Sequence, residues 1–194
     1  MIRQLPPVLV NRIAAGEVVE RPASAVKELV ENAIDAEATH IEIALIAGGA
    51  SLIAVSDDGL GMSRDELALA LERHCTSKLP DDDLQHITYL GFRGEALPSI
   101  AAVSRLTVTS RKRGAGAAWS LAVEGGAKRE AVPAPLPVGT RVEVRDLFYA
   151  TPARLKFLKS ARAEREQAVD AVTRLAMAYP ALSFLVTADD NRVL

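Results

Sequence analysis

The spacing of hydrophobic residues predicts four helices. Between Pro22 and about Ala36, apolar residues return every three or four positions, and the proline suits a first helical position. The segment Ala161–Tyr179 has the same period and ends before a proline. A shorter helix is predicted over Val8–Ala15, closed by the glycine that follows it. Another begins at Ser63, which forms a capping box with the glutamate three residues later.

Short segments in which apolar and polar residues alternate predict strands. His40–Ala47 and Ser51–Ser56 flank a Gly-Gly pair, which is typical of a hairpin. Further strands are predicted at Arg105–Arg111, Ala117–Val123, Thr140–Val144 and Ser183–Thr187, with a returning strand starting at Arg192. Because hairpins dominate but helices are interspersed, we expect an α+β fold. It would be a two-layer sandwich with a mixed, mainly antiparallel sheet and helices on one face.

Two segments of the chain depart from the regular pattern of helices and hairpins. From His74 to Pro98 the periodicity is lost, and a loop of this length in a compact domain is commonly a functional lid. The last predicted strand starts a hairpin that the sequence does not complete. We therefore expect one domain over residues 1–194, taken from a longer protein.

Composition and charge narrow the classes of function. Hydrophobic residues make up 49% and charged residues 25%, so the chain is globular rather than disordered. The net charge of -2 means that any DNA contact needs a local basic patch. With Cys75 as the single cysteine and three histidines, neither an internal disulfide nor a Cys/His zinc cluster can form. This cysteine usage fits a reducing cytoplasm, and no apolar run is long enough to cross a membrane.

One helix face carries unusual polar residues. Glu28, Asn32 and Asp35 lie at i, i+4 and i+7, so they share one face of the Pro22–Ala36 helix. Solvated faces usually carry good helix formers, whereas Asn and Asp disfavour helices. We interpret this face as the wall of a site. If phosphates bind beside it, Glu28 is a candidate general base for a water, and Asn32 offers a neutral oxygen to Mg²⁺.

Two glycine-containing segments are candidate ligand loops. The stretch Asp57-Asp58-Gly59-Leu60-Gly61 follows a strand, where the acidic residue at the strand end could accept from an exocyclic amine. The alternative is an ordinary strand-to-helix turn. In Gly91–Leu97, two glycines precede a predicted helix start, and free backbone N–H groups there can hold phosphate oxygens. Lys78 would add a charge and Thr76 or Ser77 a hydroxyl, unless the segment is a connector with a solvated lysine.

These motifs resemble the N-terminal ATPase region of the MutL family of DNA mismatch repair proteins. The matching stretches are KELVENAIDA, DDGLGM, HCTSK, GFRGEAL and LFYATPARLKFL. The first two motifs occur throughout the superfamily of DNA gyrase B, histidine kinases and a heat-shock chaperone, whereas GFRGEAL is close to diagnostic of the MutL branch. The Walker, G-x-G-x-x-G, G-x-S-x-G and H-E-x-x-H patterns are absent. The resemblance covers essentially the whole chain and implies the Bergerat-type ATP-binding fold.

The resemblance implies a Mg²⁺-dependent ATPase and a role for each matching residue. Glu28 would activate the water that attacks the γ-phosphate, Asn32 would hold Mg²⁺, and Asp57 would accept from the adenine amine. The other residues implied to contact ATP are Gly59, Gly61, Thr76, Ser77, Lys78, Leu90, Gly91, Phe92, Arg93, Gly94 and Thr140. The two glycines of the D-x-G-x-G turn and the threonine would border the adenine, and the rest would form the lid over the phosphates.

The resemblance also implies partners and missing parts. ATP would drive homodimerisation through an arm of residues 1–20, with Leu5, Val8, Leu9 and Ile13 as contacts; the alternative is that they pack on their own domain. The mismatch recognition protein MutS, downstream repair enzymes and weakly bound DNA are further implied partners, in a bacterial cytoplasm. A second ATPase subdomain, which supplies a lysine to the γ-phosphate, and a C-terminal domain would lie outside this chain. We therefore expect nucleotide binding to survive better than turnover or dimerisation.

Several interpretations stay open at the level of sequence. A local basic cluster could contact DNA phosphates or form a solvated helix start. Its members are Arg154, Lys156, Lys159, Arg162 and Arg165. A non-hydrolysing interaction module is the main rival function, although the intact Glu28 and Asn32 argue against it. A gyrase-like or kinase-like relative is the third reading, and GFRGEAL favours the MutL branch over both.

Overall fold

The computed structural model describes residues 6–73, 75 and 94–194 of the chain. Among these residues the helices are α1 (Pro7–Val18), α2 (Pro22–Asp35), α3 (Arg64–Ala70), α4 (Ala96–Val103), α5 (Pro152–Leu155) and α6 (Ala161–Ala178), with a short 3-10 helix at Ala47–Gly49. Within these ranges no helix is long and apolar enough to cross a membrane.

The strands of the described residues form a single sheet. They are β1 (His40–Ile46), β2 (Leu52–Asp57), β3 (Arg105–Arg111), β4 (Ala118–Glu124), β5 (Ala127–Lys128), β6 (Val132–Ala134), β7 (Gly139–Arg145), β8 (Ser183–Ala188) and β9 (Asn191–Arg192). Their order is β5-β4-β3-β7-β2-β1-β8-β9, with β6 paired to β4. The β1–β8 pair is parallel and the others are antiparallel. The prediction of a mixed, mainly antiparallel sheet is therefore confirmed.

The core lies between one face of this sheet and the helices. Alternate residues of β1, including Ile41, Ile43 and Leu45, are at most 2% exposed, whereas Glu42 on the other face is exposed. The inward residues join one cluster with apolar side chains of α2, α4 and α6. Alternation along β1 thus directs its buried apolar side chains toward the helices and its polar ones to the opposite face of the sheet.

The ends of several elements confirm their sequence signals. The predicted β1–β2 hairpin forms, with Ile43 opposite Val55. Ser63 caps α3, because its hydroxyl accepts from the Glu66 N–H at 3.3 Å and the Glu66 carboxylate accepts from the Ser63 N–H at 2.7 Å. The apolar face of α2 is buried, and four of its residues are at most 3% exposed; they are Val26, Leu29, Val30 and Ala33.

One predicted helix boundary and one predicted loop boundary are wrong. The first helix continues through Gly16 to Val18. Gly16 lies against Arg154, whose guanidinium would be 2.0 Å from a Cβ at this position. The aperiodic loop also ends earlier than expected, since α4 begins at Ala96 and includes Pro98. A proline is tolerated in a first helical turn because its missing N–H has no partner there in any case.

Candidate functional site

Three neighbouring strands bring the candidate site residues together. Asp57, the last residue of β2, pairs with Thr140 of β7, which pairs on its other side with Ser110 of β3. The turn after β2 adds Gly59 and Gly61. We refer to these five residues as the Asp57 cluster. Three of them come from separate strands, so the sheet register determines their arrangement.

Asp57 is partly buried and its carboxylate is poorly compensated. Its Oδ1 accepts the N–H of Gly59 at 2.9 Å, and the carboxylate also accepts a backbone hydrogen bond from Thr140. Burial raises the pKa of Asp57 to about 6; these two hydrogen bonds lower it and the neighbouring Asp58 charge raises it. A further hydrogen-bond donor would stabilise the ionised form of a carboxylate in this setting. Carboxylates with such shifted pKa values are common in ligand-binding sites.

The adjacent Asp58 has a different, structural role. Its Oδ1 accepts the N–H groups of Thr39 at 2.7 Å and His40 at 2.8 Å, and its Oδ2 accepts the Thr39 hydroxyl at 2.5 Å. Burial would raise the pKa of Asp58, but these hydrogen bonds outweigh it and lower the pKa to about 2. Asp58 therefore fixes the start of β1 and leaves Asp57 as the candidate ligand-binding carboxylate.

The glycine turn packs tightly on the end of α2 and on β3. A Cβ on Gly59 would lie 2.5 Å from the carbonyl oxygen of Ala36, which also accepts the Leu60 N–H at 2.8 Å. Gly61 has φ +65°, and a Cβ there would lie 2.0 Å from the carbonyl oxygen of Arg111. Only glycine fits this turn without a backbone shift. The Asp57 cluster is thereby placed at the C-terminal end of α2.

The polar face of α2 extends from that end toward the N-terminus of the helix. Glu28, Asn32 and Asp35 are all partly buried, while the exposed residue of α2 is Lys27. A helix rises 1.5 Å per residue, so Asn32 lies roughly 6 Å and Glu28 roughly 12 Å along the axis from Ala36. The structure thus orders the Asp57 cluster, Asn32 and Glu28 along one helix. Both side chains are half-buried, so this face of α2 is not fully solvated.

Most of the predicted lid lies outside the described residues. These positions are Thr76, Ser77, Lys78, Leu90, Gly91, Phe92 and Arg93. Gly94 is described; it is partly buried, has φ +61° and stands two residues before α4. A left-handed glycine immediately before a helix is consistent with the turn that its sequence context predicts.

Sequence reasoning missed one residue of this site, Ser110, and gave no geometry for Gly139. Ser110 is fully buried in β3, and its hydroxyl contacts the Thr140 hydroxyl at 2.9 Å. Gly139 has φ +128°, and a Cβ there would lie 2.0 Å from the carbonyl oxygen of Asp57. The signal for Ser110 was a polar residue at an inward position of an alternating strand.

The basic cluster is only partly available to a ligand. Arg154 lies against α1 at Gly16, and Arg162 pairs with Glu166 at 2.9 Å. Lys156 and Lys159 are exposed. The same segment carries an aromatic side chain, Phe157, that is 81% exposed, and the two-lysine stretch around it is the part most open to an anionic partner.

The predicted dimerisation arm is divided between two environments. The end of α1 packs on its own domain, where Ala15 and Val19 are fully buried. Ile13 is 53% exposed and Val10 46% exposed on the same helix. Leu5 lies outside the described residues, and the side chains of Val8 and Leu9 are not described. The role of residues 1–20 as an arm stays a prediction.

Residues 20–145 match the family model described as histidine kinase-, DNA gyrase B- and HSP90-like ATPase. That match covers the Asp57 cluster and the polar face of α2. The chain therefore belongs to this ATPase family. Within the family it is similar along its length to MutL, the DNA mismatch repair protein, as the sequence motifs predicted.

Curated relatives and solved structures agree on this similarity. MutL of Paramagnetospirillum magneticum is 69% identical over 193 residues, and that of Rhodospirillum rubrum is 70% identical over 186 residues. These matches cover 100% and 96% of this chain but 32% and 30% of the relatives, so the chain spans about a third of their length.

Among solved structures, the Aquifex aeolicus MutL ATPase domain complexed with ADP has a TM-score of 0.77 and 32% identity. The match covers 91% of this chain and 63% of that one. The N-terminal domain of a DNA repair protein has a TM-score of 0.80 and 30% identity, covering 95% and 55%. The predicted α+β, ATPase-type fold is confirmed by these matches.

Proposed function

We propose that this chain binds ATP together with Mg²⁺ and hydrolyses it, as the nucleotide-dependent switch of a MutL-type DNA mismatch repair protein. The observation that supports the proposal most is the Asp57 cluster at the end of α2, in line with the half-buried Asn32 and Glu28. The Aquifex relative with this fold carries ADP in its solved structure.

At the base end, Asp57 accepts the exocyclic amine of adenine. Its raised pKa fits this role, because an added donor compensates a carboxylate that burial has deprived of water. Gly59 and Gly61 shape this end of the pocket, because they let the turn pack against the carbonyl oxygens of Ala36 and Arg111, where a Cβ would clash. Thr140, whose N–H already contacts Asp57, borders the same base.

At the phosphate end, Asn32 holds Mg²⁺ and Glu28 acts as the general base. The described residues contain no group of three or more His, Cys, Asp or Glu side chains that could hold a metal. A single protein ligand such as the Asn32 amide oxygen suits Mg²⁺, because this ion takes few protein ligands and completes its shell with water and phosphate oxygens. When bound, Mg²⁺ supplies charge stabilisation to the phosphates. Glu28 removes the proton of the attacking water, and ADP and phosphate leave.

The lid and the partners complete the proposed switch. Backbone amides of Leu90–Gly94, with Thr76, Ser77 and Lys78, close over the phosphates. ATP orders this lid and the arm of residues 1–20, two copies of the whole protein associate, and hydrolysis releases them. MutS, downstream repair enzymes and weakly held DNA are the proposed partners in the bacterial cytoplasm. The exposed Lys156 and Lys159 are the proposed phosphate contacts on DNA.

The proposal is tested by Glu28→Ala. In a protein that includes the second ATPase subdomain, we expect this variant to bind ATP with the affinity of the wild type, measured by calorimetry, and to lose at least about 100-fold in phosphate release. Glu166→Ala is the matched control, because Glu166 is an exposed helical glutamate on α6. Its turnover should equal that of the wild type. Phosphate release by Glu28→Ala at the wild-type rate would remove Glu28 from the proposed role.

A further inference from the structure

A buried hydroxyl stands directly behind Thr140. Ser110 is fully buried, at a position of β3 whose alternate residues face the core. Its Oγ accepts the N–H of Met62 at 2.8 Å and donates to the carbonyl oxygen of Gly139 at 3.1 Å. It also contacts Thr140 Oγ1 at 2.9 Å, a hydrogen bond in which either oxygen could be the donor. A buried hydroxyl needs such partners, because a buried polar group without a hydrogen bond costs free energy.

The number of hydrogens on Ser110 decides which oxygen donates. A serine hydroxyl has one hydrogen and two lone pairs. The Met62 N–H occupies one lone pair. The Gly139 carbonyl has no hydrogen of its own, so the serine hydrogen goes to it. The remaining lone pair can only accept, and the hydrogen between the two hydroxyls therefore belongs to Thr140.

The backbone around Ser110 holds this arrangement in place. Gly139 has φ +128°, and a Cβ there would lie 2.0 Å from the Asp57 carbonyl oxygen, so strands β2 and β7 meet closely at this point. Met62 lies in the turn that Gly61 forces against β3. Both partners of Ser110 other than Thr140 are thus main-chain groups in a tightly packed region, and they cannot rotate away as side chains can.

We propose that Ser110 is a positioning residue that keeps Thr140 as a hydrogen-bond acceptor toward the base, so that the site selects a nucleobase with an amino group over one with a carbonyl at that position. The inference rests on the proposed function, because it concerns the base of a bound nucleotide. With its proton directed at Ser110, the Thr140 oxygen offers lone pairs alone, beside the accepting carboxylate of Asp57. A carbonyl placed against two acceptors has no donor and is rejected.

The experiment compares ADP with inosine diphosphate, which carries a carbonyl in place of the adenine amine. The ratio of the two dissociation constants is measured by calorimetry for the wild type, Ser110→Ala and Ser120→Ala. In Ser110→Ala the freed Thr140 hydroxyl can donate, so the preference for ADP should narrow by about fivefold, the size of one neutral hydrogen bond. Ser120→Ala is the control, because it removes a hydroxyl 3.0 Å from Thr109 on the other face of β3; its ratio should stay unchanged.

A second background separates positioning from a loss of structure. Thr140→Val keeps the side-chain shape and removes the hydroxyl through which Ser110 is inferred to act. Adding Ser110→Ala to Thr140→Val should leave the ratio within about twofold of Thr140→Val alone. If Ser110→Ala does not fold, Ser110→Cys serves instead, since sulfur is a weaker acceptor for the Thr140 hydrogen and should narrow the ratio in the same direction.

The outcomes distinguish this inference from the proposed function. A Ser110 role in packing alone would weaken both nucleotides equally, so an unchanged ratio in Ser110→Ala or Ser110→Cys overturns the inference. The same holds if the effect persists in the Thr140→Val background. Absence of ADP binding by the folded wild-type chain would overturn the proposed function and the inference together. ADP binding with an unchanged ratio would overturn the inference alone.

Discussion

At the scale of single residues, two adjacent aspartates show how environment assigns a role. Asp58 has three hydrogen-bond donors from Thr39 and His40, and its pKa falls to about 2. Asp57 is more buried, and its pKa rises to about 6. The sequence predicted Asp57 for the ligand from its place in the D-x-G-x-G motif. The physical difference between the two carboxylates required the structure, because it depends on which strand ends lie beside each one.

The raised pKa predicts that Asp57 destabilises the ligand-free protein. A shift from 3.8 to about 6 corresponds to on the order of 3 kcal/mol of unfavourable folding free energy once the carboxylate is ionised. Asp57→Asn has nearly the same shape and no charge, and its amide oxygen can still accept from the Gly59 N–H. We expect urea denaturation at pH 7 to show a higher free energy of unfolding for the variant.

The pH dependence of that difference follows from the sign of the shift. Because the folded pKa lies above the unfolded one, the folded protein holds the Asp57 proton more tightly than the unfolded chain does. The stability that the folded protein gains by holding the Asp57 proton more tightly is therefore fully present below about pH 4. It is lost as the pH rises through about 6. The advantage of Asp57→Asn should shrink on acidification. A difference that is constant between pH 4 and 7 would contradict the assigned burial.

Gly61 allows a second test at the residue scale. Gly61→Ala forces a left-handed alanine and a Cβ 2.0 Å from the Arg111 carbonyl oxygen. Gly114→Ala is the matched control, because Gly114 has φ +82° but no atom within 4 Å of its would-be Cβ. Both variants carry conformational strain of about 1–2 kcal/mol, and only the first carries the clash as well. Thermal unfolding should show a clearly lower Tm for Gly61→Ala, and equal Tm values would count against the close packing of this turn.

At the scale of elements, a polar contact ties α6 to the start of α2. Glu164 of α6 is 2% exposed, and its Oε1 accepts the Lys159 N–H at 2.9 Å. The same oxygen lies 3.6 Å from Arg21 Nη1, which also donates to Gln167 at 2.5 Å. Arg21 is the residue immediately before the first turn of α2. This contact therefore connects the exposed lysine segment with the helix that carries Glu28 and Asn32.

We expect the Arg21–Glu164 pair to contribute more than a surface ion pair. In a double-mutant cycle of Arg21→Ala and Glu164→Ala, the coupling free energy should be about 1.5–3 kcal/mol, because removing Arg21 alone leaves the buried Glu164 carboxylate without its charged partner. The control cycle uses Arg162 and Glu166, an exposed i,i+4 pair at 2.9 Å, where no measurable coupling is expected. Denaturation midpoints give both values. Equal coupling in the two cycles would show that burial of Glu164 has no such effect.

The elements also show why some boundaries are readable from sequence and others are not. The face of α2, the β1–β2 hairpin and the Ser63 cap each depend on residues close in sequence, and each was predicted. The predicted end of α1 was wrong: the helix continues through Gly16, which lies against Arg154, a residue far along the chain. The 3-10 turn, β5, β6 and α5 went unpredicted, since segments this short have no period to detect.

At the scale of the whole molecule, the candidate site is a product of sheet order. Strands β2, β7 and β3 are adjacent in the sheet but distant in sequence, and their register places Asp57, Thr140 and Ser110 side by side. Motif resemblance predicted the first two residues, because motifs report a site without its geometry. Ser110 belongs to no quoted motif, and its role is visible only when the three strands are assembled.

The measurement that tests the central claim most directly is a calorimetric titration of ADP, with Mg²⁺, into the wild-type chain and into Asp57→Asn. The claim is that the Asp57 carboxylate is the group that recognises the nucleotide base. It predicts ADP binding by the wild type, and an affinity at least about 100-fold weaker in the folded variant, because the base amine then faces an amide instead of a carboxylate. ADP binding of equal affinity in the two proteins would contradict the claim.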